Sequence, residues 1–568
     1  MRRSIRTTLA LVLVLVAGLT ASLTVSLAAA DPGTAAGDPA AAPPAGARPS
    51  ADRATWWEPV ERPSPDADIN VTGEPFTGTD AGGDVRGLLD AHNHVFANEG
   101  FGGKMICGKV FDPAGIEKAL SDCSEHYPNG VGAIFEHATG GDDGFHDPVG
   151  YPTFNHWPKY DSLSHQQNYY AWMERAWRGG VRIMVNDLVS NGAICSLLPR
   201  DRGCDEMDAI RLQAQKSRDL EAYVDDMYGG PGQGWLRIVT TPEEARSVIE
   251  QGKLAMVLGV EMSEPFGCKT ILGIPQCDRG DIDRGLDEFQ QLGISSSFLC
   301  HKFDNALCGV RFDTGTTGVA VNAGQFLSTG TFWRTERCRG PEADNPISSD
   351  QLTAPLRALF PVDPPDYDPA KRCNVRGLTS LGEYALRGMM SRGMMVEVDH
   401  MSVKAADRAL GILEQASYPG VVSSHSWMAP SWAERVYRTG GLIAQYGFRA
   451  DEFVATWRTD RDLRARYGKA YAFGTDMNGV GGTPGPRNGN VTYPFTSFDG
   501  GSVIDRPSTG QRTWDVNTDG VAQYGMVPDW VEDIRMVGGD EVVDSLAGGA
   551  QMYLDTWSAT RAWRAQAG

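Results

Sequence analysis

Eight short apolar segments recur between residues 85 and 474, and helix-like or irregular stretches separate them. Two of these segments follow a helix-like stretch and a glycine, with residues 286–292 before Gly293 and residues 381–391 before Gly393. A helix, a glycine cap and a β-rich segment form the second half of a βα unit. Eight such units predict an α/β fold, namely a (β/α)8 TIM-type barrel. A ninth candidate, residues 131–136, leaves two segments that could be the second strand. The predicted strands are residues 85–90, 181–188, 254–260, 295–300, 394–399, 421–424, 442–445 and 470–474.

Residues able to bind a metal stand at the ends of six predicted strands. The catalytic groups of such barrels collect at the rim formed by the carboxyl ends of the strands. Side chains two residues apart in a strand share a face, so two histidines on the first strand can both face the barrel mouth. The residues in question are His92, His94, Glu261, His301, His400, His425 and Asp476.

These residue types suit zinc, which binds neutral imidazole and carboxylate. Glu261 has two oxygens and can bridge two ions, and His400 and His425 can hold the second ion. Asp476 is placed to deprotonate a water molecule whose pKa the metal lowers to about 7. Each residue has a structural alternative, since a single buried histidine is usually a hydrogen-bonded core residue and Asp476 could be a helix N-cap. Their order on successive strands favours a site for two zinc ions.

Other polar residues of the predicted barrel give weaker signals. Glu136 and the acidic cluster around His146 resemble a metal site, but they lie in a glycine-rich loop with no strand to fix them. Lys302 could be a metal-bridging lysine, although its position in the strand points it away from His301. Glu397 and Asp399 alternate with His400, so we expect them to face the helix layer and to be structural.

The N-terminus predicts export of the chain. Arg2, Arg3 and Arg6 precede an apolar run at residues 9–27 and three alanines, so residues 1–30 form a predicted signal peptide. The run is nearly long enough to span a bilayer, which leaves a membrane anchor as the alternative. Residues 31–83 form a predicted Ala/Pro-rich linker. Residues 84–568 form the barrel domain, with long insertions at about 96–170 and 303–376.

The cysteines and the net charge agree with a secreted chain. Ten cysteines fall into five pairs of close neighbours, which predict up to five local disulfides. A cysteine-based zinc site is disfavoured because the sequence has no C-x-x-C. The net charge of −20 at pH 7 disfavours nucleic acid and anionic membranes as partners. The predicted pairs are Cys107/Cys123, Cys195/Cys204, Cys268/Cys277, Cys300/Cys308 and Cys338/Cys373.

With these residues in place, the chain resembles the amidohydrolase superfamily, and within it most closely the membrane (renal) dipeptidases of peptidase family M19. The resemblance is specific in the order and spacing of its motifs and runs, with gaps, over most of residues 86–560. The stretches that carry it are Leu254-Ala-Met-Val-Leu-Gly-Val-Glu261, Leu299-Cys-His301 with Asn305, Met395-Val-Glu-Val-Asp-His400, Ser423-Ser-His425-Ser426 and Phe473-Gly-Thr-Asp476-Met-Asn-Gly479-Val480.

The resemblance implies a role for each matched residue. One zinc would be bound by His92 and Glu261 with His94 beside them, and Glu261 would bridge to a second zinc. That second zinc would be held by His400 and His425. The implied catalytic acid/base is Asp476, which would also contact the metal. The implied substrate contacts are His301, which would stabilise negative charge on the substrate carbonyl, and Arg435, which would bind the substrate carboxylate.

Two departures from the family separate this chain from the dipeptidases. The family usually has H-x-D on the first strand, whereas this chain has His92-x-His94, which changes the charge of the site by one unit. An insertion also follows Glu261, with Cys268 and Cys277 inside it. The first change concerns the metal site and the insertion would line the substrate mouth, so the resemblance supports a hydrolase more firmly than a dipeptidase.

The combined prediction is a secreted zinc-dependent hydrolase that cleaves an amide bond of a small-molecule substrate through metal-bound hydroxide. It needs no nucleic acid, and no stable membrane anchor remains after signal cleavage. One alternative is an enzyme of the same fold that acts on a lactone, a phosphoester or another small acyl compound. The alternative of another class is a non-catalytic secreted metal-binding protein. The sequence does not indicate the oligomeric state.

Overall fold

The computed structural model describes residues 67–124, 132, 136, 146–347, 365–489 and 491–567. All of these residues belong to one compact unit. The predicted signal peptide and the first part of the predicted linker lie outside the described residues. Within the described part, no helix combines the length and the apolar character that a bilayer crossing requires.

Eight parallel strands form a closed barrel in sequence order, as the sequence predicts. Closure depends on the seventh strand, residues 442–446. Its first half pairs with the sixth strand through Leu442 and Val422, and its second half pairs with the eighth through Gln445 and Phe473. Phe473 also pairs with Asp90 of the first strand. The strands are β1 (Leu88–Asn93), β2 (Val181–Ser190), β3 (Leu254–Met262), β4 (Ile294–Ser297), β5 (Met395–Glu397), β6 (Val421–Ser423), β7 (Leu442–Ile443 and Gln445–Tyr446) and β8 (Phe473–Gly474).

The strands are apolar on both faces because one face lines the barrel and the other packs against helices. Ile183 and Val185 of β2 belong to the inner apolar cluster, whereas Met184 between them belongs to the outer one. The inner cluster is closed at the start of β1 by the final helix, Gly549–Ala567, through Trp557. Polar side chains therefore find space at the opposite end, where the strands finish.

One strand was not predicted. Leu236–Val239 pairs in parallel with the first half of β3, while β4 pairs with the second half. Of the ninth strand candidate, residues 131–136, the structure describes only Gly132 and Glu136, and both are helical.

The helices lie between the strands and begin and end where the sequence provides caps. Arg279–Leu292 begins at a capping box made by Asp278 and Asp281 and ends at Gly293, which has a left-handed conformation. The longer helices are Tyr170–Arg178, Glu206–Met227, Pro242–Glu250, Arg279–Leu292, Gly315–Thr329, Ser380–Arg392, Val403–Gln415, Ala433–Thr439, Ala450–Arg466, Val527–Gly538, Asp540–Ala547 and Gly549–Ala567. The shorter ones are Ala97–Glu99, Phe101–Gly103, Ile116–Ala119, Gly192–Leu197, Pro265–Gly267, Pro430–Trp432, Val516–Asp519 and Tyr524–Met526.

The ordered domain begins earlier than residue 84. Ala67–Asp68 pairs with Ser508–Thr509, and Val71–Gly73 pairs with Ser502–Ile504, so residues 67–73 are not part of a disordered linker. Arg512–Thr513 and Phe495–Thr496 complete these two small sheets. Two further hairpins join Thr270–Ile271 to Ile274–Pro275 and Thr335–Glu336 to Cys373–Asn374.

All five predicted disulfides are formed. Each closes a loop of the chain between residues close in sequence, with separations of 8 to 35 residues. Three of them, Cys107–Cys123, Cys300–Cys308 and Cys338–Cys373, brace the two long insertions that the sequence predicts.

Candidate metal centre

Seven residues from the ends of six barrel strands converge at the rim of the barrel. They form three overlapping groups of potential ligand atoms. His92 belongs to two of these groups, and Glu261 belongs to two of them. The convergence follows from the fold, because the carboxyl ends of parallel strands meet at one end of the barrel. The residues are His92, His94, Glu261, His301, His400, His425 and Asp476.

The carboxylate of Glu261 lies between two sets of imidazoles. Its Oε2 is 3.3 Å from Nε2 of His94 and 3.5 Å from Nε2 of His301. Its Oε1 is 3.2 Å from Nε2 of His400. This Oε1 is buried and has no hydrogen-bond partner within the described chain. The two oxygens thus face different ligand sets, which is the arrangement a bridging carboxylate needs.

Each ligand set contains a pair of imidazoles that meet through their Nε2 atoms. On one side, Nε2 of His92 is 3.1 Å from Nε2 of His94, and Oδ1 of Asp476 is 3.2 Å from the latter. On the other side, Nε2 of His400 is 2.8 Å from Nε2 of His425. Lone pairs directed at a common point are what a cation requires, so nitrogen and carboxylate donors of this kind fit zinc.

A second layer of groups fixes the orientation of the imidazoles. Nδ1 of His92 lies 3.0 Å from both Oγ of Ser424 and Oδ2 of Asp187, and Nδ1 of His94 lies 2.6 Å from the Asp187 carbonyl oxygen. Nδ1 of His425 lies 2.9 Å from Oδ2 of Asp399. A hydrogen-bond acceptor at Nδ1 places the ring proton there and leaves the lone pair of Nε2 directed at the centre.

Three buried carboxylates near the imidazoles differ from the sequence analysis. Asp187 was not predicted, although a charged residue inside the apolar strand β2 could have indicated a functional position. The expectation that Glu397 and Asp399 face the helix layer is wrong. The strand β5 ends at Glu397, and His400 has a left-handed backbone with φ of 62°, so simple alternation does not extend to His400. Asp399 instead contacts His425, and Glu397 lies close to Asp187, Asp399 and His92 at the base of the centre.

Two of the rim residues adopt a backbone conformation that is uncommon outside glycine. His400 has φ of 62° and Asp476 has φ of 49°. The surrounding hydrogen bonds hold both, because the Asp476 amide donates to the His92 carbonyl (2.9 Å) and the His400 carbonyl accepts from the Arg311 amide (2.7 Å). Such conformations cluster at functional sites.

The charges of the centre compensate one another. Burial acts to raise the pKa of Glu261, but the charge of His92 and the nearby His400 imidazole outweigh it and hold that pKa well below its usual value. Burial lowers the pKa of His301 to about 3, with Lys302 and His94 also contributing, so His301 is neutral at neutral pH. Burial acts against ionised Asp476 as well, yet His94 and His92 lower its pKa below the usual value. The site therefore presents ionised carboxylates and a neutral His301.

Gly259 on β3 leaves space for the Asp187 carboxylate, since a Cβ at this position would overlap Oδ1 of Asp187. We expect Gly259→Ala to displace that carboxylate from His92 and to weaken zinc binding by about 10–100-fold, as loss of a ligand's outer partner does. Gly411→Ala is the control, because Gly411 lies in the helix Val403–Gln415 and a Cβ added there would contact no other atom. Chelator competition measures both affinities. Wild-type affinity in Gly259→Ala would show that the Asp187 contact is dispensable.

The structure does not bring Arg435 to the centre. Its guanidinium donates to both carboxylate oxygens of Glu414, at 2.9 and 2.8 Å, and to Oδ1 of Asp407 at 2.8 Å. These partners belong to the neighbouring helix Val403–Gln415 on the outside of the barrel. The ion pairs explain the position of Arg435 without a substrate.

Lys302 carries a positive charge beside the centre. Its Nζ lies 3.1 Å from Oδ1 of Asp313 and 5.9 Å from the ring centre of Trp427, and that ring lies 5.9 Å from the ring of His400. Burial acts to lower the pKa of Lys302, but Asp313 and Glu261 raise it above its usual value, so the ammonium stays charged. Lys302 therefore lies at the edge of the site, and Glu261, not Lys302, lies between the two ligand sets.

Searches against family models and against curated proteins give no match. Solved structures that match include an amidohydrolase from Pseudomonas aeruginosa, with 14% identity over 68% of this chain and 93% of the other and a TM-score of 0.37. A metallopeptidase from Rhodobacter sphaeroides bound to a phosphinate mimic of L-Ala-D-Ala has 12% identity over 83% and 99%, with a TM-score of 0.39. A dipeptidase of family M19 has 12% identity over 68% and 88%, with a TM-score of 0.36. Because these TM-scores are below 0.5, the barrel is assigned from its own strand order and the centre from its own geometry.

Proposed function

We propose that this chain is a secreted zinc-dependent hydrolase that cleaves an amide bond in small substrates such as dipeptides. The observation that carries the proposal is the Glu261 carboxylate, whose two oxygens face two separate sets of imidazoles. Asp476, an ionised carboxylate, lies beside one of these sets. Structural ion pairs alone give no reason for five imidazoles and two carboxylates to converge at the rim where such barrels carry out catalysis.

The donors divide into two ligand sets that share Glu261. His92, His94 and Asp476 would hold one zinc ion, and His400 and His425 would hold the other. When bound, the ions supply the polarisation of water and of the scissile carbonyl at neutral pH. Asp187 and Asp399 keep the histidines in the tautomer that directs Nε2 at the centre.

Asp476 and His301 would perform the remaining steps. Asp476 is ionised, so its carboxylate can accept a proton from the attacking water and later donate it to the leaving amine. His301 is neutral, so its imidazole N–H can donate a hydrogen bond to the carbonyl oxygen as negative charge develops there. Its Nε2 is 3.5 Å from Oε2 of Glu261, which places His301 next to the reacting groups.

Lys302 favours substrates that carry a carboxylate. Its ammonium, which also contacts Asp313, is close enough to His301 to lower the pKa of that imidazole, whereas the Arg435 guanidinium is paired on the outer helices. A dipeptide has a free carboxylate close to its amide bond. The amide bond can therefore lie at the centre while the carboxylate contacts Lys302.

The test combines metal removal with a substrate panel. The secreted chain, checked by intact mass for loss of residues 1–30, is stripped with a chelator and reconstituted with zinc. The panel contains L,L- and L,D-dipeptides, the same dipeptides with amidated C-termini, a lactone and a phosphoester. We expect zinc to restore hydrolysis of free dipeptides and amidation to raise KM.

The other outcomes separate the alternatives. Faster hydrolysis of the lactone or the phosphoester would move the chain to a different substrate class on the same centre. Zinc binding without turnover of any compound would favour a metal-binding protein that is not an enzyme. Absence of bound metal after reconstitution would contradict both the hydrolase proposal and the metal centre.

A further inference from the structure

A second group of potential metal ligands lies outside the centre, in the insertion between β1 and β2. It consists of Glu136, His146 and His165, and one ligand atom from each lies within 4.8 Å of the others. Glu136 and His165 are fully buried, and His146 is partly buried. None of the three takes part in the chemistry proposed for the centre.

The contacts among these side chains repeat those of the metal centre. Nε2 of His146 is 2.7 Å from Nε2 of His165, which matches the Nε2–Nε2 approach of the two pairs at the barrel rim. Oε2 of Glu136 is 3.7 Å from Nε2 of His165. The Ser164 amide donates to Oε1 of Glu136 (3.3 Å), which turns Oε2 toward the histidines.

The imidazole of His165 is held in place from two sides. The Trp157 ring stacks on it at 4.8 Å between ring centres, with 18° between the planes. Sγ of Cys123 lies 3.2 Å from its Nδ1. Cys123 is bonded to Cys107, so neither sulfur is a thiolate and neither can act as a zinc ligand. The donors that point to a metal are therefore two imidazole nitrogens and one carboxylate oxygen.

We propose that Glu136, His146 and His165 form a third metal site, separate from the centre, that binds a zinc ion. Two imidazoles and one carboxylate are a normal zinc donor set, and a fourth position remains for water. The proposal goes beyond the hydrolase function and does not depend on it, because it concerns metal binding alone.

The position of the site gives the ion a structural task. The His165 carbonyl accepts a hydrogen bond from Nδ2 of Asn478 (2.6 Å), and Oδ1 of Asn478 accepts from the Gln167 amide (3.1 Å). Asn478 lies two residues after Asp476 in the loop that follows β8. An ion on His165 would thus fasten the insertion to the loop that carries Asp476.

The experiment counts zinc per chain by elemental mass spectrometry after dialysis against metal-free buffer. It compares the wild type with Glu261→Gln, His146→Gln and the double variant. Asp544→Asn is the control for casual zinc binding, because Asp544 is an exposed carboxylate on the helix Asp540–Ala547, outside the insertion. We expect three ions in the wild type and in Asp544→Asn, two in His146→Gln, one in Glu261→Gln and none in the double variant.

The Glu261→Gln arm keeps the test decisive even where His146→Gln fails to fold. X-ray absorption at the ion retained by Glu261→Gln should show two imidazole ligands and oxygen donors. A wild type with two ions and a folded Glu261→Gln variant with none would overturn the third site and leave the hydrolase proposal standing. An unchanged zinc count in folded His146→Gln would also overturn it. Zinc retained at the third site in an inactive wild type would instead overturn only the hydrolase proposal.

Discussion

Asp476→Asn is expected to lower kcat for dipeptide hydrolysis by about 10²–10⁴-fold, the range that general acid–base catalysis contributes. The change keeps the shape of the side chain and one oxygen that can contact the metal, but it removes the group that accepts the proton. Because His94 and His92 hold the pKa of Asp476 below its usual value, the wild-type residue is ionised at neutral pH. Asparagine cannot take over this role.

The measurement pairs steady-state kinetics with the zinc count of the same samples. We expect the ions of the centre to remain in Asp476→Asn and KM to change far less than kcat, since the loss concerns proton transfer. Asp451→Asn is the control, because Asp451 is a partly exposed aspartate in a surface pair with Arg449. Near wild-type turnover of Asp476→Asn with its zinc retained would remove Asp476 from the mechanism.

The sequence predicts the barrel well because each strand carries its own local signal. All eight predicted strands exist, and the glycines at 293 and 393 cap helices as expected. The strand Leu236–Val239 was missed since it has four residues and one of them is Arg237. Residues 67–73 were assigned to the linker because their partners, near residue 505, are more than 400 positions away and leave no local pattern.

The convergence of the candidate ligands could be predicted because each follows a strand whose end must reach the same rim. Their supporting residues could not be predicted in the same way. Asp399 and His400 both face the centre because the strand ends two residues before Asp399 and the backbone of His400 is left-handed. The grouping of Glu136 with His165 depends on how a long insertion folds, and neither residue has a strand to fix its direction.

Glu261→Gln is expected to release both ions of the centre, leaving only the ion proposed at Glu136, His146 and His165. An amide has one carbonyl oxygen and one NH2 group, so it cannot offer an acceptor oxygen to each ligand set. The change also removes the negative charge that faces Nε2 of His94 and Nε2 of His400. The loss in zinc affinity should therefore exceed the roughly 10–100-fold effect of removing an outer partner.

Glu397→Gln is the matched control for this result, because Glu397 is also a buried glutamate at the base of the centre. Burial, together with Asp187 and Asp399, raises its pKa well above the usual value, which favours the protonated, uncharged carboxyl. Glutamine then replaces one neutral group by another of the same shape, and the zinc count should stay at the wild-type value. Retention of both centre ions in folded Glu261→Gln would contradict the bridging role. Equal losses in the two variants would mean that disturbance of the buried base, and not the charge of Glu261, controls metal binding.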